Sequence, residues 1–165
     1  MTDPASSFEQ LVRRHRGEIG AYLRRLLGSE SEADDVAQDT WLRAHRAFGR
    51  LPADANARAW LSRIATNRAL TALRRRRGSA ARAAAVDLET LPARGDDLEG
   101  RIELRRVAGA VAALPPKQRA ALVARRFSGL DYAEIALTLG CSPDAARANV
   151  YQAIRRLRGV LERPS

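Results

Sequence analysis

The residues from Asp131 to Arg156 hold the plainest chemistry in this chain. Asp131 followed three residues later by Glu134 is a capping-box pattern, in which two side chains satisfy free backbone N–H groups at a helix start. Gly140 supplies a turn, Ser142 is a second N-cap, and Pro143 suits the first position of a new helix. A short helix over 132–139, a glycine turn and a longer helix over 143–161 make a helix-turn-helix, whose second helix enters the DNA major groove. Helical spacing turns Ala146, Val150, Ala153, Leu157 and Leu161 inward, and Arg147, Ala148, Tyr151, Gln152 and Arg155 outward. Arg147, Tyr151 and Gln152 are the candidates for reading base edges, because guanidinium and amide groups match the donor and acceptor patterns there. Arg155, Arg156 and Arg126 suit phosphates, which add affinity without sequence information. An ordinary helical hairpin with solvated arginines is the alternative, and the agreement of caps, glycine and charge favours the DNA reader.

A second group lies upstream. Asp35, Gln38, Asp39 and Leu42 fall on one stripe of a helix, opposite its apolar face. Carboxylates in so basic a chain suit a basic protein partner, with the exposed leucine as an anchor. Asn67 shares the polar face of the next helix with Arg63 and Arg74, and an amide can both donate to and accept from an unpaired base. The run Arg74, Arg75, Arg76 and Arg77 suits phosphates.

Other chemistries find little support. Lys117 has no glycine-rich phosphate loop around it. His15 and His45 stand on different helices without ligand spacing, Cys141 is alone, and no Ser-His-Asp or Cys-His arrangement appears. The expectation is no enzyme activity, no cofactor, no metal and no small-molecule substrate.

All-helical periodicity positions these groups. Helices are expected over 7–27 with Ser7 as cap and Gly28 as stop, over 32–48 with Ser31 as cap, and over 56–76. More follow over 101–113, 116–127, 132–139 and 143–161. The fold class is all-α: a three-helix bundle over 1–77 and a four-helix domain over 101–165, joined by a flexible linker over 78–100. Charge follows the same division. The net +10 separates into 15 basic against 9 acidic residues before position 78, 3 against 6 over 78–103, and 11 against 4 thereafter. A pI near 11.2 points to a polyanionic partner. Of 29 basic residues 28 are arginine, which suits a GC-rich genome but does not explain the excess over acids. With neither a leader-like N-terminus nor a long apolar run, the chain reads as cytoplasmic and not inserted in a membrane.

These motifs resemble, in order, those of the extracytoplasmic-function class of bacterial sigma factors over nearly the whole chain. Ala33-Asp34-Asp35-Val36-Ala37-Gln38-Asp39-Thr40-Trp41-Leu42-Arg43-Ala44 is similar to the family's polymerase-binding helix. Ala59-Trp60-Leu61-Ser62-Arg63-Ile64-Ala65-Thr66-Asn67 is similar to its helix at the edge of melted DNA. Leu114-Pro115-Pro116-Lys117-Gln118-Arg119 and Gly129-Leu130-Asp131-Tyr132-Ala133-Glu134-Ile135-Ala136 resemble the opening of its promoter-reading domain.

The resemblance implies a transcription initiation factor carried on core RNA polymerase, with promoter DNA as the second partner and an anti-sigma factor as a regulator. Asp35, Gln38, Asp39 and Leu42 would meet the polymerase. Arg50, Leu51, Asn56, Arg63, Asn67 and Arg74 would capture the melted minus-ten strand. Arg126, Arg147, Asn149, Tyr151, Gln152, Arg155 and Arg156 would engage the minus-thirty-five duplex, and the acidic linker would thread the polymerase's RNA channel. Asp144, Ala146, Asn149 and Gln152 depart from the usual family residues, so the promoter sequence does not follow. The alternatives are a stand-alone helix-turn-helix regulator and a helical interaction module whose charge is incidental.

Overall fold

Capping residues and left-handed glycines set the ends of the helices in this computed structural model, which describes residues 4–78 and 98–163. Helix α1 (Pro4–Leu27) stops at Gly28, whose φ of +67° few side chains tolerate. Ser7 lies inside α1 rather than capping it. Helix α2 (Glu30–Ala47) is capped by Ser29, not Ser31: the Ser29 hydroxyl accepts from the Glu32 N–H at 3.3 Å. Gly28 reverses the chain at once, so the next extended residue takes the cap and Ser31 falls in the first turn. A 3-10 turn over Phe48–Arg50 leads to α3 (Ala57–Gly78).

Helix α4 (Leu98–Ala112) precedes α5 (Pro116–Phe127), α6 (Tyr132–Leu139) and α7 (Pro143–Leu161). The last three keep the bounds expected from their caps. The expected linker over 78–100 is shortened at both ends, since Gly78 closes α3 and Leu98 opens α4. Its residues 79–97, which carry the proposed channel-threading role, lie outside the described residues. Among the described residues there is no strand.

Two helical groups result, α1 to α3 and α4 to α7. In the first, Ala33, Val36, Thr40 and Ala44 of α2 turn inward with Leu23 and Leu26 of α1 and Leu61, Ala65 and Leu73 of α3. Each fully buried leucine contributes roughly 1.5–3 kcal/mol of transfer free energy. In the second, Ala146, Val150 and Ala153 of α7 meet Ile135 and Leu139 of α6 and Ala120, Val123 and Ala124 of α5. The groups also pack on each other, α3 against α5 and α6 and α1 against α5, so one continuous apolar cluster includes both.

A polar pair fixes the first group. The hydroxyls of Tyr22 on α1 and Thr66 on α3 lie 2.7 Å apart, both buried. Burial pushes the Tyr22 phenol up to about 12 against the bond's opposing effect. Tyr22→Phe should lower unfolding stability by about 1–2 kcal/mol in urea titrations, because Thr66 loses its partner. Unfolded Tyr22 ionises near pH 10 while the folded residue stays neutral. Wild-type stability should therefore be complete below pH 10 and fall towards pH 12, with a smaller fall in Tyr22→Phe.

Candidate nucleic-acid interface

The helix-turn-helix is built as its sequence implies. The Asp131 carboxylate accepts from the Glu134 N–H at 2.8 Å, and the Glu134 carboxylate accepts from the Asp131 N–H at 3.0 Å. Gly140 closes α6 at φ +64°, and the Ser142 hydroxyl accepts from the Ala145 N–H at 3.1 Å, with Pro143 opening α7. Arg147, Ala148, Tyr151, Gln152, Arg155 and Arg156 are exposed on α7. The Arg147 guanidinium lies 5.1 Å from the Tyr132 ring centroid, and Arg125 lies 4.8 Å from the same ring, so stacking orients both cations.

Two of the expected duplex contacts stand differently. Asn149 is half-buried and its Nδ2 donates to the Ala145 carbonyl at 3.0 Å, tying it to its own helix. Arg126 is exposed at the end of α5, and it is its neighbour Arg125, which sequence reasoning passed over, that the Tyr132 ring orients. Arg125 also donates to the Leu130 carbonyl at 3.1 Å.

On α2, Asp35, Gln38 and Leu42 form the exposed stripe that helical spacing implies, with Leu42 59% exposed. Asp39 is less available. Its carboxylate pairs with Arg68 of α3 at 2.6 Å and with Arg43 at 3.1 Å, so it braces two helices.

Helix α3 brings Arg63, Asn67 and Arg74 onto one exposed face. Arg50 is exposed and Leu51 half-buried in the turn preceding it. Asn56 is a helix cap: its Oδ1 accepts from the Ala59 N–H at 3.0 Å, and its Nδ2 donates to Glu134 of α6 at 3.2 Å. The exposed Asn56 amide keeps one N–H and one lone pair beyond these two bonds. Arg76, grouped by sequence with the phosphate-binding run, instead donates to the Leu27 carbonyl at 2.8 Å and pairs with Glu32, so it closes the end of α1.

The seam between the groups is polar where sequence gave no sign of it. Arg58 of α3 pairs with Glu18 of α1 at 2.6 Å and also donates to the Ser128 carbonyl beyond α5. Arg25 of α1 stacks on Phe127 of α5 at 4.5 Å. Arg63 reaches the turn at Gly140, its guanidinium 3.9 Å from where a β-carbon there would stand. His15, half-buried beside Glu18, is held below its ordinary pKa by burial, with Glu18 opposing.

Arg119 is the seam's anomaly. It is 7% exposed, its Nε has no acceptor, and it lies against Gly28 at the end of α1. Burial first, and the neighbouring Arg76 second, pull its pKa down to about 10. No periodicity in the sequence marks Arg58 or Arg119, because the contact of Arg58 with the Ser128 carbonyl and of Arg119 with Gly28 depends on how the two helical groups meet.

Residues 11–79 match the family model for sigma-70 region 2, and residues 104–157 match that for sigma-70 region 4. The chain is 34% identical over 155 residues to the extracytoplasmic-function RNA polymerase sigma factor SigM of Mycobacterium tuberculosis, covering 94% of this chain and 77% of SigM. It is 31% identical over 163 residues to the corresponding factor SigE of Mycolicibacterium smegmatis, covering 96% of this chain but 63% of that relative's length. Among solved structures, CnrH in complex with the cytosolic domain of CnrY superposes with a TM-score of 0.70 at 29% identity, covering 96% of this chain and 89% of CnrH. The sigma factor RpoE of Bartonella quintana, in complex with the anti-sigma factor NepR, shares the fold with a TM-score of 0.71 at 24% identity, covering 96% of this chain and 99% of that one.

A buried guanidinium whose Nε has no acceptor costs stability in the seam. Arg119→Met, close in length and uncharged, should raise the thermal midpoint by about 2–4 °C, corresponding to roughly 1 kcal/mol. A lower midpoint would mean that Arg119 finds a partner in solution.

Proposed function

The chain belongs to the extracytoplasmic-function class of sigma-70 RNA polymerase sigma factors, and from that premise we propose that it binds core RNA polymerase and directs it to specific promoters. The observation that carries this reading is a doubly capped helix-turn-helix with a basic outward face, joined in one chain to a helical group bearing separate polar faces on α2 and α3. A factor that reads duplex DNA alone has no use for the second group.

In this reading residues 1–77 dock on polymerase and capture the melted minus-ten strand, residues 101–165 read the minus-thirty-five duplex, and 78–100 connect them. Asp35, Gln38 and Leu42 supply the polymerase contact. Arg147, Tyr151 and Gln152 face base edges, and Arg155 and Arg156 face phosphates. Arg63, Asn67 and Arg74 face the single strand. The chain supplies specificity while the polymerase supplies catalysis, which places its work in the cytoplasm. No described helix is long and apolar enough to cross a membrane.

The seam bears on the order of events. Asn56 is held by Glu134 and Arg63 lies against the Gly140 turn, so one end of the strand-capturing face abuts the duplex-reading unit. Both DNA elements are engaged at once only after α3 and α6 part, and polymerase is the body that holds the groups apart. A buried guanidinium with an unsatisfied Nε suits a contact that has to open. Two solved relatives were captured with a CnrY domain and with NepR, and an anti-sigma protein that holds the seam shut would keep this chain idle.

Runoff transcription with core polymerase is the direct test: the chain should confer initiation on promoters that core enzyme ignores. Tight DNA binding without polymerase, and no initiation with it, would favour a stand-alone regulator. Asp35→Ala combined with Gln38→Ala should weaken polymerase binding about tenfold or more, while thermal stability and DNA binding by the free chain stay unchanged. Equal loss in all three would remove α2 as the docking face.

A further inference from the structure

The side chain of Gln118, in the first turn of α5, is 7% exposed. Its Nε2 donates to Oε1 of Gln152 on α7 at 2.9 Å, while its own Oε1 is buried without a donor. The Gln118 amide is thus committed to a single bond, made to a residue on the outward face of α7. Gln152 is exposed there beside Arg147, Tyr151 and Arg155.

A free glutamine commonly reads adenine with both ends of its amide: the oxygen accepts from N6 while the nitrogen donates to N7. In this chain a bond from the buried Gln118 amide draws Oε1 of Gln152 towards α5 and fixes the amide plane. The two N–H bonds of Nε2 remain to face the groove. Guanine offers two adjacent acceptors, O6 and N7, whereas adenine pairs one acceptor with a donor and cytosine offers a donor.

We infer that Gln118 is a specificity-determining positioning residue: by turning Oε1 of Gln152 towards α5 it presents the Nε2 donors of that side chain to the groove, selecting guanine over adenine and cytosine at one base of the duplex element. The inference rests on α7 being the helix that reads the duplex. Gln118 acts without touching DNA, and its partner supplies the contact. The signal in the sequence is faint, since Gln118 and Gln152 are 34 positions apart and only the packing of α5 on α7 joins them.

The test uses full-length chain with core polymerase, selecting bound sequences from a promoter library randomised over the upstream element. Wild type should favour guanine at one position by roughly 5- to 100-fold, the range of a good base-edge contact. Gln152→Ala should abolish that preference and leave the others. Gln118→Leu frees the oxygen, so adenine should be admitted and the guanine-to-adenine ratio should fall about fivefold or more. Gln118→Glu replaces the buried donor with an acceptor, so the Gln152 amide should turn over and favour cytosine or adenine. A folding defect would lower overall binding without moving one position's preference. The inference is overturned if Gln118→Leu and Gln118→Glu both keep the wild-type ratio, or if Gln152→Ala changes no base preference. Runoff activity of the same wild-type sample reports separately on the proposed function, and failure there overturns both.

Discussion

Helix α3 has to be covered from two directions, and the rest of the structure follows from that constraint. Its buried residues, Ala59, Leu61, Ser62, Ala65, Thr66, Ala69, Leu70 and Leu73, span about half the helix circumference at 3.6 residues per turn. Half-buried positions such as Trp60, Ile64, Arg68 and Ala72 fill most of what remains. A surface helix needs one apolar stripe, whereas a helix buried on most sides belongs in a core. Helices α1 and α2 cover one part, and α5 and α6 cover another. The strip left to solvent carries Arg63, Asn67 and Arg74, with Arg75 nearby, so the packing that hides α3 also defines the face available to a nucleic acid.

Covering α3 from the second direction joins the two helical groups, and that contact buries charge along with apolar surface. Within the first group, polar side chains are paired, as Tyr22 is with Thr66. Across the seam, Arg58 donates to the Ser128 carbonyl, but Arg119 is buried beside another arginine with its Nε unsatisfied. Such a contact is held by apolar burial and opposed by charge. The balance gives the closed arrangement a defined cost, which a larger partner can exploit when it binds the groups separately.

Local chemistry made much of this legible from the residues. The bounds of α5, α6 and α7 follow from Pro116, Asp131, Gly140, Ser142 and Pro143, because each acts on backbone within a few positions of itself. Ser7 and Ser31 misled, since a serine caps only where the chain arrives extended, and Gly28 delivers that geometry to Ser29 instead. Asn56 and Arg76 are positions where resemblance or clustering suggested DNA, and folding also uses them as a cap and a clamp. The exposed triad Arg63, Asn67 and Arg74 and the outward face of α7 were recoverable from helical spacing alone. The seam, the unsatisfied Arg119 and the bond from Gln118 to Gln152 were not, because they depend on which helices meet and no period in the sequence encodes that.

The distance between the groups tests this account most directly. With one spin label at the exposed Arg16 of α1 and another at the exposed Arg158 of α7, pulsed dipolar measurement on the free chain should give a single distance matching the closed seam. Adding core polymerase and promoter DNA should replace it with a clearly longer one. An unchanged distance in an initiating complex would contradict the claim that both DNA elements are engaged only once α3 and α6 separate.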